Sequence, residues 1–222
     1  MRLLAIDTAS EACSVGVVAG GDPVIRSEVV GRGHAEILMR LIESAMAEAR
    51  LAFADLDRIA VTVGPGSFTG LRIGIAAARG FALVTGKAAV GIGTLAVHAE
   101  EARTLRGAKA VLAVLAAGRG ELYGATFAAD GREIEPPRAA SAQVLAALLT
   151  DGMLIAGSGA DLVVAALPMD GTARVAQRNA SADVASLCRL AIAAPAATAS
   201  PRPLYLRPPD AKPQTAARIA HR

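Results

Sequence analysis

At 222 residues with 53% hydrophobic content, the chain is long enough to bury one core or two small ones. Its formal charge of +3 is unevenly placed: from Pro201 onward five Lys or Arg face the single Asp210, while the preceding body holds 18 basic and 19 acidic residues. That near-neutral body excludes a strongly basic nucleic-acid module, so RNA contact through this chain alone is expected to be weak or to use the tail.

Cys13 and Cys188, the two cysteines, lie in apolar settings, which implies reduced, buried thiols and neither a disulfide framework nor a zinc site. The opening apolar run meets Asp7 too soon to form a signal-peptide core. A cytoplasmic protein is expected. Residues 3–6 read as a buried strand ending at the polar turn Asp7-Thr8-Ala9-Ser10, and 13–18 as a second strand completing a hairpin. After Gly20-Gly21-Asp22 a third strand, 24–30, has the mixed polarity of a sheet edge. A helix over about 34–50 follows. Its apolar residues, among them Leu38, Met39, Ile42 and Met46, cover about 200° of arc, which predicts one face on the sheet and a second toward another helix or a partner.

Residues 59–63 are β-branched and uncharged, as in a central strand covered on both faces. Gly64-Pro65-Gly66-Ser67 breaks that strand, and from Thr69 the small residues Gly70, Gly74, Ala78, Ala82 and Gly86 recur every four, on one face of a helix. Glycine inside a helix costs roughly 0.5–1 kcal/mol relative to alanine, so the stripe implies close backbone approach. Packing on the protein's own sheet and packing at a subunit interface both satisfy it. Arg72 and Arg79 interrupt the stretch, and no membrane span is expected.

A strand at 88–92 and a helix at 94–105 complete a β-β-β-α-β-α-β-α order. The second half repeats it in reduced form: strands at 110–115, 121–127 and 132–135, a helix at 142–149, a strand at 153–156, a helix at 160–167, a short strand near 173–176 and a helix at 182–193. Residues 194–203 read as a linker or surface strap, with Leu204, Tyr205, Leu206 and Arg207 anchoring the chain back onto the body.

Few residues offer chemistry. Asp7-Thr8-Ala9-Ser10 is a turn that can present donors to a phosphate or satisfy its own backbone, and the second reading is favoured locally. Gly64, Gly66 and Ser67 lead into a helix N-terminus, an anion-binding arrangement that lacks the P-loop lysine. His34, His98 and His221 have no partner at a metal-ligand spacing, and no serine sits in a nucleophile elbow.

Together, LLAIDTASEACSVGVV, GHAEILMRLI, VTVGPGSFTGLRIGIAAARGFA and the closing PLYLRPPDAK resemble the TsaB (YeaZ) family, over about residues 1–211. The resemblance implies an α/β fold of the actin-like (ASKHA, ribonuclease H-like) superfamily with duplicated lobes. One lobe would span 1–106 and a smaller one 107–193, with 194–222 returning over the first lobe and fraying after about 213. It implies an accessory scaffold, not itself an enzyme, in the machinery that makes threonylcarbamoyladenosine in tRNA. Its partners would be a TsaD-like transferase and an ATPase subunit, with a homodimer as a further state and tRNA met only through the complex.

The transferase of that system binds metal through two histidines, and this chain offers only His98, with Thr94 where the first ligand would stand. Ala116-Ala117-Gly118 replaces the aspartate that usually opens the second lobe. No metal and no required cofactor are therefore expected, and ATP is left at most a residual phosphate site of Asp7, Thr8, Gly64, Gly66 and Ser67. The expected partner interface is Leu38, Met39, Ile42, Met46, Gly70, Gly74 and Ala78. An ATP-dependent small-molecule kinase relying on Asp7 and a glycoprotease-like metallopeptidase are the alternatives, and each lacks residues it needs.

Overall fold

The computed structural model describes residues 1–31, 33–118, 120–195 and 199–207. The expectation of fraying after about 213 lies outside them. The first lobe runs β1 (Arg2–Asp7), β2 (Ala12–Ala19), β3 (Val24–Val29), α1 (His34–Glu48), β4 (Arg58–Gly64), α2 (Phe68–Thr85), β5 (Ala88–Gly93) and α3 (Thr94–Arg106), with a 3-10 turn at Phe53–Asp55 that the sequence reading lacks. The second runs β6 (Val111–Ala116), β7 (Leu122–Phe127), β8 (Glu133–Ala140), α4 (Ala142–Ala146), β9 (Leu154–Ala156), α5 (Ala160–Ala165), β10 (Val175–Gln177) and α6 (Val184–Ala193).

Both sheets have the same construction. Strand order is β3-β2-β1-β4-β5 in one and β8-β7-β6-β9-β10 in the other. The first three strands of each form an antiparallel meander, and the last two add in parallel, each after a helical crossover. The duplicated topology expected from element order is present. β8 extends to Ala140 through Pro136 and Pro137, which a sheet accepts here because the strand lies at an edge.

Alternation along the strands decides what covers each face. Leu4, Ile6, Ile59 and Val61 point to one side of the first sheet, where α1 and α2 bury them, and Leu3, Ala5 and Ala60 point to the other. That second face is covered by α6, through Val184, Leu187, Cys188 and Ala191. A Cβ at Gly16 of β2 would lie 2.8 Å from the Cys188 Sγ, so the helix sits directly on the strand backbone. Conversely α3 covers the second sheet, packing Leu95, Ala99 and Ala102 on Val111, Ala113 and Leu115, while α4 and α5 close its outer side through Leu145 and Val163.

α3 lies mainly on the second sheet and α6 on the first, the two helices packing together between the sheets, so the last helix of each lobe helps to close the core of the other. Each fully buried leucine or isoleucine contributes roughly 1.5–3 kcal/mol, so the exchanged helices are part of both cores. Beyond them, residues 201–207 run back over the first lobe: Leu204 N–H donates to Val63 O at 2.7 Å, and Tyr205 packs on Phe68 with the rings tilted and their centroids 5.0 Å apart.

By length and composition α2 is apolar enough to cross a membrane. Its buried stripe is nevertheless part of the first lobe's core, and Arg72 and Arg79 stand on another side.

Candidate functional site

The two turns expected to hold a phosphate are adjacent, and they are engaged with each other. Ser67 N–H donates to Ala9 O at 2.7 Å, and Ser67 Oγ caps α2 by accepting from Gly70 N–H at 3.2 Å. Thr8 Oγ1 donates to Gly70 O at 2.7 Å. A Cβ at Gly66 would meet Ala9 O at 2.3 Å, and Gly64, at φ 115°, has Leu204 O at 2.8 Å from where its Cβ would be. The glycines of this turn therefore admit neighbouring backbone of the same chain, and several donors that would face an anion are already bonded.

Asp7, at the end of β1, is fully buried. Its Oδ1 accepts from Thr62 Oγ1 at 2.6 Å and from Ala9 N–H at 3.1 Å, while its Oδ2 has no partner among the described residues. Burial raises its pKa above the ordinary carboxylate range, against the hydrogen bonds, which lower it.

Beside these turns the lobes enclose a cleft of about 440 Å³, lined by Ala9, Ser10, Gly66 and Ser67 on one side and by Ala116, Ala117, Tyr123 and Ser158 on the other. Ser10 Oγ donates across it to Ser181 Oγ at 2.8 Å. Among the described residues Glu11 is the one carboxylate in the lining, and Asp7 is not part of it. Among the described residues the donor set does not fit a nucleotide of the kind the superfamily implies: the turn at 116–117 supplies alanines, and Ala116 N–H is already bonded to Ser158 Oγ at 3.1 Å.

His98 is buried where a metal ligand was considered. Gln177 Nε2 donates to His98 Nδ1 at 2.9 Å, which leaves the proton of the neutral ring on Nε2. Gln177 also donates to Glu101 Oε2 at 3.0 Å, and Asn179 Nδ2 to Glu101 Oε1 at 2.7 Å, so the ring belongs to a network tying α3 to β10 and the loop after it. Desolvation drops the His98 pKa to about 4. His98 Nε2 and Thr94 Oγ1 are buried without partners among the described residues. Among the described residues no three His, Cys, Asp or Glu side chains cluster as a metal site would require. Cys13 and Cys188 are free and buried, and burial lifts their pKa values to about 11 and about 12.

The expected partner surface needs correction. Gly70, Gly74 and Ala78 are buried against the chain's own sheet, a Cβ at Gly74 meeting Thr8 Oγ1 at 2.4 Å and Val61 Cγ2 at 3.3 Å. Leu38, Ile42 and Met46 lie in the same core. Of the seven residues only Met39 is exposed, at 51%. It borders an apolar groove of about 380 Å³ between α1 and α2, formed with Phe53, Ala77, Gly80, Phe81, Val84 and Thr85. Val84 is 85% exposed, and a Cβ at Gly80 would meet nothing within 4 Å. The stripe signal was sound for close approach, but the α2 face left open lies about a third of a turn away from it.

Comparison with known proteins gives this site a setting. The family described as TsaD, tRNA N6-adenosine threonylcarbamoyltransferase, matches residues 24–194. A protein of Escherichia coli (strain K12) named tRNA threonylcarbamoyladenosine biosynthesis protein TsaB is 38% identical over 130 residues, 59% of this chain and 56% of that relative. The chain thus spans little more than half of that relative's length. An uncharacterised protein of Mycobacterium tuberculosis (strain H37Rv) is 35% identical over 214 residues, covering 95% of this chain and 94% of its own. The structure of YeaZ from Pseudomonas aeruginosa superposes with a TM-score of 0.79 at 28% identity, covering 92% of this chain and 99% of the other.

Proposed function

Because the chain belongs to the TsaB (YeaZ) family, we propose that it serves tRNA threonylcarbamoyladenosine biosynthesis as a non-catalytic scaffold, pairing with a TsaD-like transferase alongside an ATPase subunit. The observation that carries the pairing is the open groove between α1 and α2. Its walls are apolar, Met39 and Val84 stand exposed, and Gly80 keeps a helix position open at a cost of about 1 kcal/mol with nothing among the described residues to occupy the space. A partner helix laid there would bury these side chains and bring its backbone close to Gly80, as ridges of one helix fill grooves of another.

The non-catalytic reading is supported by the interlocked turns, by the alanines at 116–117 and by the solitary His98, which supply neither a nucleotide cradle nor a metal site. A titration of the purified chain with its transferase tests the pairing. Val84→Glu, which places a charge in the centre of the contact, is expected to weaken it at least about tenfold while leaving thermal unfolding unchanged. Unchanged affinity, or loss only of self-association between copies of this chain, would remove the transferase from the groove. Vigorous ATP or peptide turnover by the single chain would overturn the scaffold assignment.

A further inference from the structure

The opposite side of α2 carries charge. Residues 58–99 contain no Asp or Glu, and neither do residues 184–209, a local asymmetry hidden by the neutral average of the body. The fold lays the second of these stretches along the first. Arg79 Nε donates to Pro201 O at 2.9 Å, and Arg72 Nε to Tyr205 OH at 3.0 Å, so residues 201–205 run antiparallel to α2 with Arg202 exposed between the two contacts.

Arg72 and Arg79 are seven residues apart and share one side of the helix. Lys87, just past the helix end, lines a concave surface of about 380 Å³ together with Arg79 and Ser200, and among the described residues no carboxylate contributes to that lining. Among the described residues none of Arg72, Arg79, Lys87 and Arg202 has a carboxylate within salt-bridge distance. At 1.5 Å per residue the stripe is about 20 Å long, too extended for one phosphate and suited to several in a row.

We propose that Arg72, Arg79, Lys87 and Arg202 form a phosphate-backbone track that holds RNA against α2 and the returning segment. Two guanidinium groups are already oriented, Arg72 by its hydrogen bond to Tyr205 and by lying 3.8 Å over the Phe68 ring, Arg79 by its bond to Pro201. Pre-oriented forks of this kind match phosphate oxygens at low ordering cost. The track and the apolar groove occupy different sides of α2, so protein and RNA partners do not compete for one surface. The choice of RNA among polyanions rests on the tRNA-modification reading above, whereas the track itself rests on charge placement alone.

The test uses the full chain with Lys87→Glu combined with Arg202→Glu, two side chains that make no hydrogen bond or ion pair among the described residues. Binding of fluorescently labelled transfer RNA is measured across a salt series, and pairing with the transferase is measured in parallel. The track predicts at least about a tenfold loss of RNA affinity near 0.1 M salt, a salt slope smaller by about two, and unchanged pairing. Unchanged RNA affinity and slope would overturn it. Loss of pairing with RNA binding intact would make this side a protein contact. Equally tight binding of inorganic polyphosphate by the unmodified chain would remove RNA as the specific occupant. Failure of the unmodified chain to pair with the transferase, with RNA binding still sensitive to the reversal, would strike the scaffold reading and leave the track standing.

Discussion

The carbonyl oxygen of Thr8 lies 1.9 Å from where a Cβ at Gly70 would stand, and the Thr8 hydroxyl donates to the Gly70 carbonyl at 2.7 Å. The end of β1 and the first turn of α2 therefore interlock through backbone atoms, which cannot move aside as a flexible side chain would. Gly70→Ala should lower stability by about 3 kcal/mol or more, beyond the ordinary cost of overpacking, and Gly74→Leu should behave similarly. Chemical denaturation checks this. A variant within about 0.5 kcal/mol of the parent would show that the two elements separate freely.

Asp7 carries a second expectation. Its pKa is raised in the fold, chiefly by burial, so the stability it contributes is full below the ordinary carboxylate range and is lost as pH rises through the folded value. Asp7→Asn keeps an oxygen to accept from Thr62 and Ala9 and removes the buried charge. It should stabilise the protein by about 1 kcal/mol or more at pH 7, with the advantage shrinking toward pH 4. Unfolding free energies at the two pH values decide the matter, and an Asn variant less stable at pH 7 would point to an unseen partner for Oδ2.

His98 runs the other way. With its pKa lowered to about 4 from 6.5, it stabilises the fold above 6.5 and that contribution is lost as pH falls through about 4, roughly 3 kcal/mol in all. Glu101, held above its usual range first by burial and then by Asp183, titrates in the opposite sense, so the useful quantity is the difference between the parent and His98→Gln across pH 7 to 4. That difference should shrink as the solution is acidified. A constant difference would mean the ring keeps its ordinary pKa.

The order of strands and helices was legible because β-branched runs, glycine turns and helical spacing are local signals. The placement of α3 and α6 was not, since an amphipathic face says that a helix covers a sheet without saying which of two. Gly70 and Gly74 announced close approach, yet their neighbour is Thr8, 62 residues upstream of Gly70, and nothing near either sequence position marks the pairing. Gly80 was passed over because it falls outside the four-residue spacing. The acid-free stretches were visible in the sequence, but their meaning depends on the segment at 201–207 lying along α2.

Arg207 offers a fourth test. Its Nη1 donates to Ala117 O at 2.8 Å and its guanidinium pairs with Glu121, while Tyr205, two residues earlier, packs at a tilt on Phe68 of the other lobe. Arg207→Ala should cost about 1 kcal/mol, given its partial exposure, and should raise amide exchange in the loop near 116–118. Exchange unchanged there would mean the lobes are held without it.

The exchanged helices bear on how the protein is made. A ribosome that has synthesised residues 1–106 has released every strand of the first sheet, but Leu3, Ala5 and Ala60 still await α6, which ends at Ala193. The first lobe to be translated is thus among the last structures to close, and its bare sheet face is the surface a chaperone would meet on the nascent chain.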